Sequence, residues 1–77
     1  MIREEILMER IATNSRDIAI IGYDKKTATL EITFRSGGVY HYSQVPEDVY
    51  QKLMSAPSQG TFFSEKIKNQ YPYKKIS

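Results

Sequence analysis

Cysteine is absent from this 77-residue chain, and histidine occurs once, at His41. Without thiols there is no disulfide, no thiol nucleophile and no thiol redox couple, and a single imidazole falls short of the ligand set of a zinc site. No apolar run approaches the roughly 18 residues of a membrane-spanning helix, and no secretory hydrophobic region is visible. These absences predict a soluble protein of the cytoplasm with no membrane partner and no cofactor. Charge of one sign is not in large excess either. The chain has 11 basic and 9 acidic side chains, net +2, far from the surplus of a domain that tracks a long phosphate backbone. Gly37-Gly38 lacks the following Lys-Ser/Thr of a phosphate-binding P-loop.

A chain this short buries only about 60% of its unfolded surface. With no disulfide or metal to reinforce it, homo-oligomerisation is one expected source of stability. The charge is also uneven: between Pro57 and Ser77, Lys66, Lys68, Lys74 and Lys75 face Glu65 alone. That quarter suits contact with about one or two phosphates, or simply a solvated lysine-bearing face.

Ile2, Ile6, Leu7 and Ile11 recur at spacings near four, which predicts a short amphipathic helix over residues 1–14. An isolated helix of about 12 residues is rarely stable in water, so its apolar face should dock on this domain or on a second copy. Three β-type runs follow: Asp17 to Asp24, Thr29 to Arg35 and Val39 to Gln44. Ser36-Gly37-Gly38 suits a three-residue hairpin loop closing Arg35 against Val39. This register pairs Phe34 with Tyr40 and Ile32 with Tyr42, so both tyrosines share a face with Leu30, Ile32 and Phe34. Pairing Tyr23 with Thr29 adds Ile18, Ile20 and Gly22 to that inner face. Ala19, Ile21, Tyr23, Glu31, Thr33, Arg35, Val39 and His41 then lie outside, as a candidate subunit interface or ligand floor.

Pro46-Glu47-Asp48 opens a helix, with acids at its positive end. Val49, Leu53 and either Tyr50 or Met54 form its stripe, and Ala56-Pro57 ends it. A second helix begins near Ser58, buries Phe62, Phe63 and Ile67, and stops before Pro72. The expected fold is α+β: a three-stranded antiparallel meander, two C-terminal helices packed on one face, and a short N-terminal helix. Residues 15–77 form the domain proper.

His41 has no orienting acid in sequence, and Ser43, two residues away, makes no recognised nucleophilic pair with it. Glu4-Glu5 and Glu47-Asp48 sit at helix starts, where dipole charge accounts for them. Catalysis is therefore not expected. Tyr40 and Tyr42 can stack on a base or cap the small core, and Arg35 is the better phosphate or stacking candidate among the cations. At Ser58-Gln59-Gly60-Thr61, a hydroxyl cap and a side-chain-free Gly60 expose backbone N–H groups for an anion, beside Phe62 and Phe63. The same residues also read as a well-capped helix with two core phenylalanines.

The run from Ser15 to Tyr73 resembles the KTSC domain, a module of about 60 residues named for the C-terminus of some lysyl-tRNA synthetases and also found alone. The resemblance rests on Ile21-Gly22-Tyr23-Asp24, Leu30-Glu31-Ile32-Thr33-Phe34, Gly38-Val39-Tyr40-His41-Tyr42, Val45-Pro46, Ala56-Pro57-Ser58-Gln59-Gly60, and Phe63 through Ile67 to Tyr71. The tyrosine-any-tyrosine motif of the family is intact at Tyr40 and Tyr42. What the resemblance implies is a suggested RNA-binding role. In size and site chemistry the chain is also similar to compact phage proteins that sequester nucleotide immune signals, which would place it in the host cytoplasm.

The resulting expectation is a non-enzymatic homo-oligomer that holds a small phosphorylated nucleotide of the cyclic-dinucleotide or ADP-ribose type. Tyr40 and Tyr42 would flank a base and Arg35 would meet phosphate. Ser58, Gly60 and Lys66 would complete the anion site. An RNA-binding accessory module and a protein–protein adaptor are the alternatives.

Overall fold

The computed structural model describes residues 8–77. They form a five-stranded antiparallel sheet in the order β1-β2-β3-β4-β5. The strands are β1 (Glu9–Ala12), β2 (Ile18–Asp24), β3 (Thr29–Phe34), β4 (Val39–Tyr42) and β5 (Tyr73–Lys75). Helices α1 (Glu47–Ser55) and α2 (Gln59–Lys66) fall between β4 and β5. The α+β class and both helices are as expected, but the sheet has five strands where three were expected, because β1 and β5 pair onto the outer edges of β2 and β4.

The N-terminal helix needs correction. Over Glu9–Ala12 the chain is extended, pairing Ile11 with Ile21 and Ala12 with Ile20. An apolar spacing of four is a multiple of the strand period of two, so it does not separate helix from strand. The remainder of the expected helix, residues 1–7, lies outside the described residues.

The β3–β4 hairpin sets the face on which the tyrosines lie. Its loop is Arg35-Ser36-Gly37, with Gly37 at φ +115°. Phe34 N donates to Gly38 O at 2.8 Å, and Gly37 N to Phe34 O at 2.9 Å. Ile32 thus pairs with Tyr40 and Leu30 with Tyr42. The loop begins one residue earlier than expected, which moves the register by two. A shift of two leaves every side chain on its face, so Tyr40 and Tyr42 do share the face of Leu30, Ile32 and Phe34.

In the β2–β3 hairpin the difference is a single residue, with the opposite consequence. The Asp24 carboxylate accepts from Lys26 N at 3.0 Å, and Tyr23 pairs with Leu30 instead of Thr29. Ile21 and Tyr23 therefore point inward and are buried, while Ile20 and Gly22 turn outward. A β-bulge between Ile18 and Ile20 returns Ile18 to the inner face opposite Phe34.

Ile18, Ile21, Leu30 and Ile32 from the sheet meet Val45, Leu53 and Ile67, all fully buried. Each such side chain contributes about 1.5–3 kcal/mol. Tyr50 of α1 stacks on Tyr23, with ring centroids 4.6 Å apart. The Tyr23 hydroxyl donates to the Val45 carbonyl at 2.6 Å. Ser58 caps α2 by accepting from Thr61 N, and Phe63 carries that helix into the core with Ile67 behind it.

Candidate functional site

A groove of about 750 Å³ opens where the inner face of β4 and β5 meets the side of α2. β5 is brought here by its pairing with β4, which sets Tyr73 opposite Tyr42 and Lys75 opposite Tyr40. The wall is aromatic. Tyr40 lies 5.9 Å from Tyr73 between ring centroids, Tyr42 lies 5.6 Å from Tyr73, and Phe63 closes edge-on to Tyr42 at 5.3 Å. Tyr73 is 60% exposed, whereas Tyr42 is 4% exposed. A base can therefore lie on Tyr73 and the open part of Tyr40, but not on the Tyr42 ring. Burial pushes the Tyr42 phenol up to about 12, with lesser contributions from Tyr40 and Tyr73. It stands at the groove floor as a neutral hydroxyl.

Around this wall stand Arg16, Arg35, Lys68 and Lys75, with Asp17 as the one acid. Four cations against one carboxylate give the groove a positive field although the whole chain carries only +2. The topology gathers them: Arg16 precedes β2, Arg35 sits in the β3–β4 turn, Lys68 follows α2 and Lys75 belongs to β5.

Of the residues expected to bind, Arg35, Tyr40, Tyr42 and Gly60 line this groove. Arg35 lies in the turn, not on the outer sheet face. Its Nη2 donates to Thr13 O at 2.7 Å and its Nε to Ser15 O at 2.8 Å, so two of its five N–H donors are engaged in holding the β1–β2 loop. Ser58 and Gly60 border a second groove of about 570 Å³. The Ser58 hydroxyl is occupied by its cap, accepting from Thr61 N at 3.3 Å and donating to Thr61 Oγ1 at 3.0 Å. Lys66 lies on the exposed side of α2 and borders neither groove. Arg16, Lys68, Tyr73 and Lys75 also line the groove and were not among the expected site residues. The lysine-rich C-terminal quarter was the visible signal for two of them.

The two grooves share Arg16, Asp17, Gly60 and Ser64, and so run into each other. Hydroxyls fix the loop at this seam. Ser15 Oγ accepts from Asp17 N and Ile18 N, both at 3.3 Å, and Thr13 Oγ1 accepts from Ser15 N at 3.1 Å. Gly60 lies against the loop: a Cβ there would sit 3.3 Å from Ser15 Oγ and 3.7 Å from Asp17 Oδ2.

His41 is on the opposite face. Arg10, Gly22, Glu31, His41 and Lys74 form one transverse row across all five strands. Arg10 Nε reaches Glu31 Oε2 at 2.7 Å, and His41 Nε2 lies 2.8 Å from Glu31 Oε1, so the imidazole does have a carboxylate partner, which sequence spacing did not place because it comes from the neighbouring strand. The hydrogen bond from Arg10 holds the Glu31 carboxyl below its ordinary range against the opposing effect of burial, with His41 adding to the lowering. Among the described residues no cluster of three or more His, Cys, Asp and Glu side chains is placed to hold a metal, and no helix is long and apolar enough to cross a membrane.

The family model of the KTSC domain matches residues 14–71. A protein of Stutzerimonas stutzeri is 40% identical over 64 residues, covering 83% of this chain and 90% of its own. A lysine-tRNA ligase of Nostoc punctiforme is 37% identical over 76 residues, which is 99% of this chain and 14% of the ligase. The crystal structure of a KTSC domain protein from Yersinia pestis superposes with a TM-score of 0.89 at 44% identity, covering 92% of this chain and 100% of that one.

Proposed function

The chain belongs to the KTSC domain family, and we propose that it is a nucleotide-binding module whose inner groove holds a base against Tyr73 and Tyr40 and phosphate among the surrounding cations. One observation carries this reading: Tyr40 and Tyr73 share a single groove with Arg16, Arg35, Lys68 and Lys75. Stacking on an aromatic ring is worth about 1–3 kcal/mol per base and tolerates any base, because every base presents a π-face. Guanidinium and ammonium groups beside the rings supply the complementary hold on phosphate. His41 takes no part, since it bonds to Glu31 on the other face.

A free signalling nucleotide held without turnover and a short stretch of single-stranded RNA present the same base-and-phosphate chemistry. The relation to a segment of a lysine-tRNA ligase favours RNA as a second reading. Calorimetric titration with mononucleotides, cyclic dinucleotides, ADP-ribose and single-stranded RNA of increasing length separates these sources. A small ligand gives affinity independent of oligonucleotide length. RNA gives affinity that grows with length up to the span of the groove, then levels off, and falls with salt by about 0.7 log units per log unit for each phosphate neutralised. Absence of binding by every nucleotide in the panel contradicts the proposal.

A further inference from the structure

Asp17 is the single acid in a groove that otherwise offers cations. A carboxylate among phosphate-binding cations weakens the hold on phosphate, unless it contacts a part of the ligand that donates hydrogen bonds. An ionised carboxylate accepts only, through two oxygens. Among the described residues the ion pairs are those of Arg10 and His41 with Glu31, so Asp17 carries none of them. Its side chain is exposed and lies at the seam of the two grooves, beside a residue with no side chain, Gly60. Its backbone is fixed on both sides: Asp17 N donates to Ser15 Oγ, and its carbonyl accepts from Arg35 N at 2.8 Å. The position is therefore set before any ligand arrives, which lowers the ordering cost of a contact made there.

Beyond the seam the chemistry changes. The second groove has no aromatic ring; its walls carry one further acid, Glu65, and the hydroxyls and amides of Ser15, Ser58, Gln59, Thr61 and Ser64. That lining suits a hydroxyl-bearing group and offers no stacking platform for a second base. An oligonucleotide laid along the groove from Tyr73 to Arg16 would bring a ribose past Asp17, which lines the same groove.

We propose that Asp17 reads the ribose of the bound nucleotide, its carboxylate accepting a hydrogen bond from the 2′-hydroxyl, and from the vicinal 3′-hydroxyl where that is free, so that the groove selects ribonucleotides over deoxyribonucleotides. This rests on the nucleotide-binding reading above and adds a specificity residue and a sugar class to it. Loss of the 2′-hydroxyl removes a charge-assisted hydrogen bond, for which a discrimination of roughly tenfold is expected.

The test is a titration of triadenylate in ribo and deoxyribo form against the intact chain and against Asp17→Asn and Asp17→Ala, with thermal melting to verify folding of each. The intact chain prefers the ribo form by roughly tenfold, and both variants bring that ratio close to one while binding the deoxy form at least as tightly. The asparagine variant keeps the shape of the side chain and decides the matter if the alanine variant is unfolded. A residue that merely supports the start of α2 would lower the melting temperature without changing the ratio. Equal binding of both oligomers by the intact chain, or an unchanged ratio in Asp17→Asn, overturns the ribose assignment and leaves the nucleotide reading standing. A preference for guanylate over adenylate with no ribose preference also overturns it, by assigning Asp17 to a base edge. Failure of both oligomers to bind overturns the two readings together.

Discussion

Arg35 Nε lies 2.8 Å from the carbonyl oxygen of Ser15. That contact ties the β3–β4 turn to the loop that carries Arg16 and Asp17, and the second bond, to Thr13 O, completes a fork. Arg35→Ala is expected to destabilise the fold by about 1 kcal/mol, lowering the melting temperature by about 4–8 °C in a domain of this size. Arg35→Lys keeps the charge without the planar fork, so it should recover little of the loss. A thermal melt of the two variants distinguishes this from a purely electrostatic role, in which lysine would restore the wild-type value.

Gly22 is what allows Arg10 to reach Glu31. It lies between them in the transverse row, and a Cβ there would meet Met8 Sδ at 2.9 Å and Arg10 Cγ at 3.2 Å. Both are flexible side chains outside the core, so the cost of Gly22→Ala is that of moving Arg10 away from Glu31, about 1.5 kcal/mol for a hydrogen bond to a charged group. The smaller conformational freedom of alanine in the unfolded chain offsets about 0.5–1 kcal/mol of that. A net loss of about 0.5–1 kcal/mol is the expected outcome of denaturant unfolding, and a gain in stability would contradict the steric account.

The same row makes stability sensitive to acid. Glu31 has its folded pKa depressed below the ordinary 4.5, first by the Arg10 hydrogen bond. A depressed carboxylate contributes stability that is complete above the unfolded pKa and is lost as pH falls through the folded one. Thermal melts should therefore fall on acidification below about pH 4.5, and Glu31→Gln should flatten that slope. An unchanged slope in Glu31→Gln would assign acid sensitivity to other carboxylates.

At the alkaline end Tyr42 acts in the opposite direction. Its phenol is raised from 10.0 to about 12, so the stability it contributes is complete below pH 10 and is lost as pH rises through the folded value. Phenolate absorbance during a pH titration should show a late-ionising tyrosine that disappears in Tyr42→Phe. Persistence of the late phase in that variant would mean that another buried tyrosine, Tyr23 or Tyr50, is responsible.

Much of this fold was legible from residue patterns because the strongest signals are local. Ser58 as a hydroxyl cap, Pro46 with its following acids and the glycine in the β3–β4 loop each act within a few residues, and each lies where the pattern placed it. The inner position of Tyr40 and Tyr42 survived an error in register because the error was even. Ile21 and Tyr23 did not, because the register error there was odd and a bulge beside Ala19 leaves no trace in the alternation. β1 and β5 were missed for a different reason: strands of four and three residues acquire their conformation from a neighbour, not from their own propensity. The site suffered accordingly. Tyr73 and Lys75 enter the groove only through pairing with β4, and Arg16 through the loop that Arg35 holds. Lys66 looked suitable by charge, but its position on α2 turns it away.

The most direct test of the groove as a nucleotide site is a chemical-shift map of the isotopically labelled chain titrated with triadenylate. The account predicts that perturbations concentrate at Arg16, Asp17, Tyr40, Tyr73 and Lys75, and that Tyr73→Ala weakens binding by roughly 5- to 150-fold, the loss of one stacked base. Perturbations centred on Arg10, Glu31 and His41 of the opposite face, or none at saturating ligand, would contradict it.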